Sequence, residues 1–161
     1  MDAQAKDDDG DYNIAVTRQV EVPADLDDGR IILAVETTLR HCDCQDAKLE
    51  FALVDDQAIA ELNQRYLNHT GPTDVLSFDL GDDRQGGVEG QIVASIQTAE
   101  RQARQHGHSV QAEIILYCVH GTLHLLGYDD HEPDQAARMH RLEDELLTQL
   151  GWGPVYAAGR P

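Results

Sequence analysis

The chain has 161 residues, a formal net charge of −18 and 41% hydrophobic residues. That length suits one domain that buries a core without disulfides. Lys6 and Lys48 are the only lysines, which argues against charge-driven binding to DNA and against docking on an anionic membrane.

Residues 1–11 hold Asp2, Asp7, Asp8, Asp9 and Asp11 and read as a disordered acidic tail, followed by a single domain over 12–161. A signal peptide needs a basic start and an apolar run, and neither is present here. No apolar stretch approaches the length of a membrane span. Cys42, Cys44 and Cys118 form no disulfide framework and fit a reducing compartment, so a cytoplasmic location is expected.

Ile14, Val16, Val20 and Val22 alternate with polar neighbours and predict a first strand, ended by Pro23. Ile31, Ile32, Val35 and Leu39 follow at helical spacing, with Asp27 or Asp28 as the cap. Cys42 and Cys44 beside His41 are read as a loop with two reduced thiols, because a structural zinc site normally closes with four ligands. Leu49, Phe51 and Leu53 predict a second strand, and a helix starting at Asp55 or Asp56 presents Ile59, Leu62 and Tyr66. Val75, Leu76 and Phe78 predict a third strand, and Gln91–Ile96 a fourth that pairs with it as a hairpin across the Gly81–Gly90 loop.

The remainder reads as helical. A polar helix over Gln97–His106 stops at Gly107. Ser109 caps a very apolar helix through Ile114, Ile115, Leu116, Val119, Leu123 and Leu126, which should lie at the centre of the core and stops at Gly127. Pro133 opens a last helix with Ala136, Met139, Leu142, Leu146 and Leu150 inward. The expected fold is α+β: a small mixed four-stranded sheet covered by about five helices, with a metal site on the apolar helix and its following turn.

Chemistry concentrates between His120 and Asp134. His120 and His124 lie one turn apart on one helix face, a spacing that lets two imidazoles reach one ion. Unliganded in an apolar helix, both would need hydrogen-bond partners. Beyond the Gly127 stop, a turn of Tyr128, Asp129 and Asp130 brings His131 back towards them. Three nitrogens with an open fourth position describe a catalytic zinc site, one ion per chain. The spacing approaches the metalloprotease H-E-x-x-H, but Gly121 stands where the general-base Glu would be. Cys118 points to the other side of the helix and is read as packing.

His120, Gly121, Leu123, His124, Leu125, Gly127, Tyr128 and Asp129 resemble the signature H-G-x-L-H-L-x-G-Y-D-H of the YbeY family of bacterial endoribonucleases and ribosomal-RNA maturation factors. Leu62, Asn63, Tyr66 and the run Pro72–Phe78 resemble a second family segment, L-N-x-x-Y-R-x-x-x-x-P-T-D-V-L-S-F. The resemblance spans roughly residues 12–150. It implies zinc-dependent, single-strand-specific cleavage of RNA in small-subunit ribosomal-RNA maturation and ribosome quality control. The implied partners are ribosomal RNA and the small ribosomal subunit or its proteins, with no membrane and no DNA.

Two positions depart from the family pattern. Its third His follows Gly-Tyr-Asp directly, where this chain has Asp130. His131, one residue later, is the favoured third ligand, with Asp130 as the alternative. The Arg that the family carries after its Tyr is Leu67 here, and Arg65 is the candidate to replace it at substrate phosphate. Thr73 and Ser77 are candidates for hydrogen bonds to substrate, and Asp129 for orienting a ligand His. The rival readings are a metallopeptidase-like hydrolase and a non-catalytic ribosome-assembly factor with a structural metal. The acidic residues avoid Ile92–Leu126 except for Glu100 and Glu113, so the expected RNA binding is weak and metal-dependent, helped by a basic ribosomal partner.

Overall fold

The computed structural model describes residues 10–67, 74–81 and 87–153. Its elements run β1 (Asp11–Arg18), α1 (Asp28–His41), β2 (Asp46–Val54), α2 (Asp56–Leu67), β3 (Val75–Asp79), β4 (Gly87–Ser95), α3 (Ile96–His106), α4 (Val110–Leu125) and α5 (Pro133–Gln149). The expected acidic tail falls mostly on residues outside the described ones, and Asp11 already opens β1.

The sheet order is β1-β2-β4-β3. β1, β2 and β4 are mutually parallel, and β3 runs antiparallel to β4 at the edge, so the sheet is mixed as expected. Phe51, Ala52, Leu53 and Val54 are all buried. An unbroken buried run of this kind belongs to a strand covered on both faces. One face carries Phe51, Leu53 and Ile92 into a large cluster with Ile31, Val35, Ile115 and Val119 of α1 and α4. The other carries Ala52, Val54 and Val93 into a smaller cluster with Ile59 of α2.

Local chemistry sets the helix starts. Asp27 caps α1 by accepting from Gly29 N, and Ser109 caps α4 by accepting from Ala112 N. Asp55 accepts from Ala58 N at 2.8 Å at the start of α2. Ser95 caps α3, so that helix begins at Ile96, one residue before the expected start, and β4 ends at the cap. Gly107 closes α3 in the left-handed region at φ 74°.

The apolar helix is central. Ile114, Ile115, Leu116, Val119 and Leu123 of α4 are all at most 2% exposed. Burying a side chain such as Leu123 fully contributes about 1.5–3 kcal/mol. α5 packs on α4 through Met139, Leu146 and Leu147, while Leu142 and Leu150 are half-buried. Gly121 permits a close approach of α4 to the sheet: a Cβ there would lie 2.7 Å from Ile92 Cγ2.

Candidate metal centre

α4 presents His120 and His124 on one face, with their rings 4.5 Å apart edge to face. After Leu125 the chain reverses at Gly127, which has φ 98°. Gly127 N donates to His124 O and Tyr128 N to Leu123 O, both at 3.0 Å. That pair of bonds is the Schellman closure, and only a residue free to adopt positive φ makes it cheaply. The reversal carries Tyr128, Asp129 and Asp130 back over the two histidines.

Each ring has one nitrogen already engaged. His124 Nδ1 donates to Tyr128 O at 3.1 Å, and His120 Nδ1 donates to the Glu143 carboxylate of α5. A main-chain carbonyl and a carboxylate accept, so with Nδ1 as the donor in each ring both Nε2 lone pairs are left over. Those Nε2 atoms face each other at 3.0 Å. Asp130 Oδ2 lies 3.8 Å from each of them. Three acceptors converge there, an arrangement that suits a cation, either a shared proton or a metal ion. Ligands on a tetrahedral zinc stand about 3.3 Å from one another given its bond lengths, so separations of 3.0 and 3.8 Å bracket the requirement. The ligand atoms of His120, His124 and Asp130 all lie within 4.8 Å of one another, and this group can hold a metal ion.

Electrostatics follow the same layout. Burial lowers the His120 pKa, but the hydrogen bond and charge of Glu143 outweigh it and hold that pKa above the ordinary histidine value. Burial and the neighbouring His120 push His124 below it.

The other sequence candidates fall in different places. His131 is on the turn but does not join the histidine pair: its side chain is 84% exposed, and its Nε2 lies 3.4 Å from Asp129 Oδ1. With Asp129 and Asp130 it forms a second, surface grouping. Asp129 Oδ1 accepts from Asp130 N at 2.7 Å and His131 N at 3.2 Å, which makes it the residue that folds the turn. Ser77 Oγ donates to Gly121 O at 3.2 Å and ties β3 to α4. Arg65 lines a hollow of about 270 Å³ with Ala52, Val54 and Val93, on the α2 face of the sheet and across it from α4. Thr73 lies outside the described residues. His41, Cys42 and Cys44 make no metal-holding group among the described residues, and all three cysteines are free.

Sequence reasoning missed Glu143. Its neighbours Arg141, Asp144 and Glu145 make the segment look like a solvated helix face, yet the Glu143 side chain is fully buried. Its position seven residues before Leu150 and four after Met139, on the inward stripe of α5, was the available signal.

The family described as Endoribonuclease YbeY matches residues 16–151. The chain belongs to the YbeY family. Among curated relatives, an Endoribonuclease YbeY of Thermobifida fusca is 47% identical over 114 residues, covering 66% of this chain and 72% of the relative. An Endoribonuclease YbeY of Heliobacterium modesticaldum is 40% identical over 119 residues, with the same coverage of 66% and 72%. A Thermotoga maritima protein solved in solution shares the fold, with a TM-score of 0.56 at 22% identity over 92% of this chain and 97% of its own. YbeY relatives are thus named as hydrolytic nucleases, and this chain carries a His/Asp group on the α4 turn that can hold a metal. No helix among the described residues is long and apolar enough to cross a membrane.

Proposed function

We propose that this chain is a metal-dependent endoribonuclease that cuts single-stranded RNA during maturation of small-subunit ribosomal RNA. One zinc ion would be held by His120 Nε2, His124 Nε2 and a carboxylate oxygen of Asp130. The observation that supports this reading most is the convergence of those three lone pairs after both Nδ1 atoms are committed elsewhere. Asp130 takes the third place in preference to His131, whose ring is spent on the exposed side of the turn. Zinc accepts imidazole and carboxylate together, and three protein ligands leave a position open for chemistry. When bound, the ion supplies an activated water and polarises a phosphoryl oxygen.

The chain's own residues set the stage. Gly127 and Asp129 hold the turn that delivers Asp130, and Ser77 anchors α4 at Gly121. The metallopeptidase alternative loses ground here, because any side chain at 121 meets Ile92. The net charge of −18 favours a small-subunit protein as the source of basic surface, and ribosome quality control is the corresponding role. Three free thiols suit the cytoplasm.

The test is metal analysis with RNA cleavage on wild type, His120→Ala, Asp130→Ala and His131→Ala. The expected outcome is loss of metal from the first two variants and retention in His131→Ala. Retention in Asp130→Ala with loss in His131→Ala would reverse the ligand assignment. Metal-loaded wild type that cuts single-stranded RNA no faster than His120→Ala would end the nuclease reading.

A further inference from the structure

Helix α5 buries a carboxylate outside the three groups that would hold the ion. Glu143 is 0% exposed, one turn from the fully buried Met139 and Leu147. A carboxylate in such a place is costly unless it is hydrogen-bonded and its charge is balanced. Its Oε1 accepts from His120 Nδ1, while its Oε2 is buried with no hydrogen-bond partner among the described residues. It lines a cavity of about 260 Å³ with Asp74, His120, Asp130 and His140. Asp74 and Asp130 add negative charge to that cavity, and the hydrogen-bond partner of Glu143 is the His120 ring.

We propose that Glu143 is the positioning residue of this metal centre: its buried carboxylate holds the Nδ1–H of His120 and so aims the Nε2 lone pair at the ion. The inference rests on the metal reading above. Three features support it. The His120 ring can rotate about two side-chain bonds, and Glu143 is the acceptor that fixes both its rotation and its tautomer. The corresponding bond for His124 comes from the Tyr128 carbonyl on the same turn that carries Asp130, so the two imidazoles are oriented by different elements. A carboxylate behind a ligand imidazole also increases its electron donation, and a cation on the far side of the ring offsets the buried charge.

Glu143 therefore couples α5 to metal retention. Loss of such an orienting partner weakens metal binding by about 10–100-fold. Glutamine keeps an acceptor oxygen in the same place without the charge, so Glu143→Gln should lie between wild type and Glu143→Ala.

The experiment measures zinc affinity by competition with a chromophoric chelator, with no RNA present, on the full chain and both variants. Circular dichroism of the metal-free proteins reports their folding separately. The expected result is zinc binding weakened by about 10–100-fold in Glu143→Ala and by less in Glu143→Gln, with wild-type spectra. Should the alanine variant fail to fold, Glu143→Gln alone carries the test. Affinities within about twofold of wild type in every folded variant would overturn the proposal and leave Glu143 a packing residue. Wild type that binds no zinc would overturn it together with the metal reading. Zinc affinity that depends on Glu143 in a protein that cuts no RNA would sustain the positioning role and remove only the nuclease assignment.

Discussion

Gly121→Ala adds one methyl group at a tight contact between α4 and the sheet. The new Cβ would stand 2.7 Å from Ile92 Cγ2, 3.3 Å from Ile92 Cδ1 and 3.1 Å from Ser77 Oγ. Carbon atoms pack comfortably at about 3.5–4.0 Å, so the overlap with Cγ2 approaches an ångström. Ile92 cannot move aside: it is 0% exposed, sits in β4 between β2 and β3, and is stiff about its first side-chain bond. Overpacking of this kind costs about 1–3 kcal/mol. Alanine in a helix interior returns about 1 kcal/mol over glycine. The single variant should therefore lose up to about 2 kcal/mol in urea unfolding. Ile92→Ala costs about 2–5 kcal/mol by itself but removes both clashing methyls. In that background Gly121→Ala should turn neutral or stabilising. The double-mutant cycle should then show a coupling of about 1–3 kcal/mol, equal to the relieved clash. A coupling below about 0.5 kcal/mol would refute the claim that Ile92 is what keeps position 121 a glycine.

Zinc at a hundred times its dissociation constant should stabilise wild type by about 2.7 kcal/mol in a thermal melt, reversed by chelator. Asp130→Ala should show no such shift; a wild-type shift there would discredit the carboxylate ligand. Burial raises the Asp56 pKa, but hydrogen bonds from Arg101, Ser95 and Thr98 and the Arg101 charge outweigh it and leave the pKa below the ordinary value. The unfolded chain then takes up this proton first as pH falls, so the contribution of Asp56 is complete above about pH 4 and drains away below it. The stability gap between wild type and Asp56→Asn should shrink in that range, and a gap that widens on acidification would contradict the sign. Burial pushes the Cys118 thiol well above its usual range, and its side chain is 0% exposed. Alkylation of the native protein followed by mass spectrometry should leave Cys118 unmodified, and rapid labelling there would place α4 outside the core.

The elements were legible because their signals are local. Alternation in Leu49–Leu53, the caps Asp27, Asp55 and Ser109, and the stops Gly107 and Gly127 are decided by a residue and its near neighbours. The β3–β4 hairpin followed from proximity in the chain, and the i, i+4 histidines from helix period. Boundaries shifted where two signals competed: Ser95 serves as strand end and helix cap at once, so β4 and α3 share a junction that pattern alone places at Gln97.

What the sequence by itself determined was the α+β class, the central apolar helix and the pair His120 and His124. Tertiary structure decided which groups lie beside that pair. Side-chain type favours His131 over Asp130 as a ligand, whereas in the fold, with Gly127 reversing the chain and Asp129 folding the turn, Asp130 lies 3.8 Å from the histidines and the His131 side chain is exposed. Glu143 is 23 residues from His120, and although its place on the inward stripe of α5 hints at burial, nothing local says which group it meets. Arg65 lies on the α2 face of the sheet, a placement that nearness in sequence to a motif does not reveal. Ligand spacing is a property of one helix, whereas the orientation of each ligand is set by elements that meet only when the core closes.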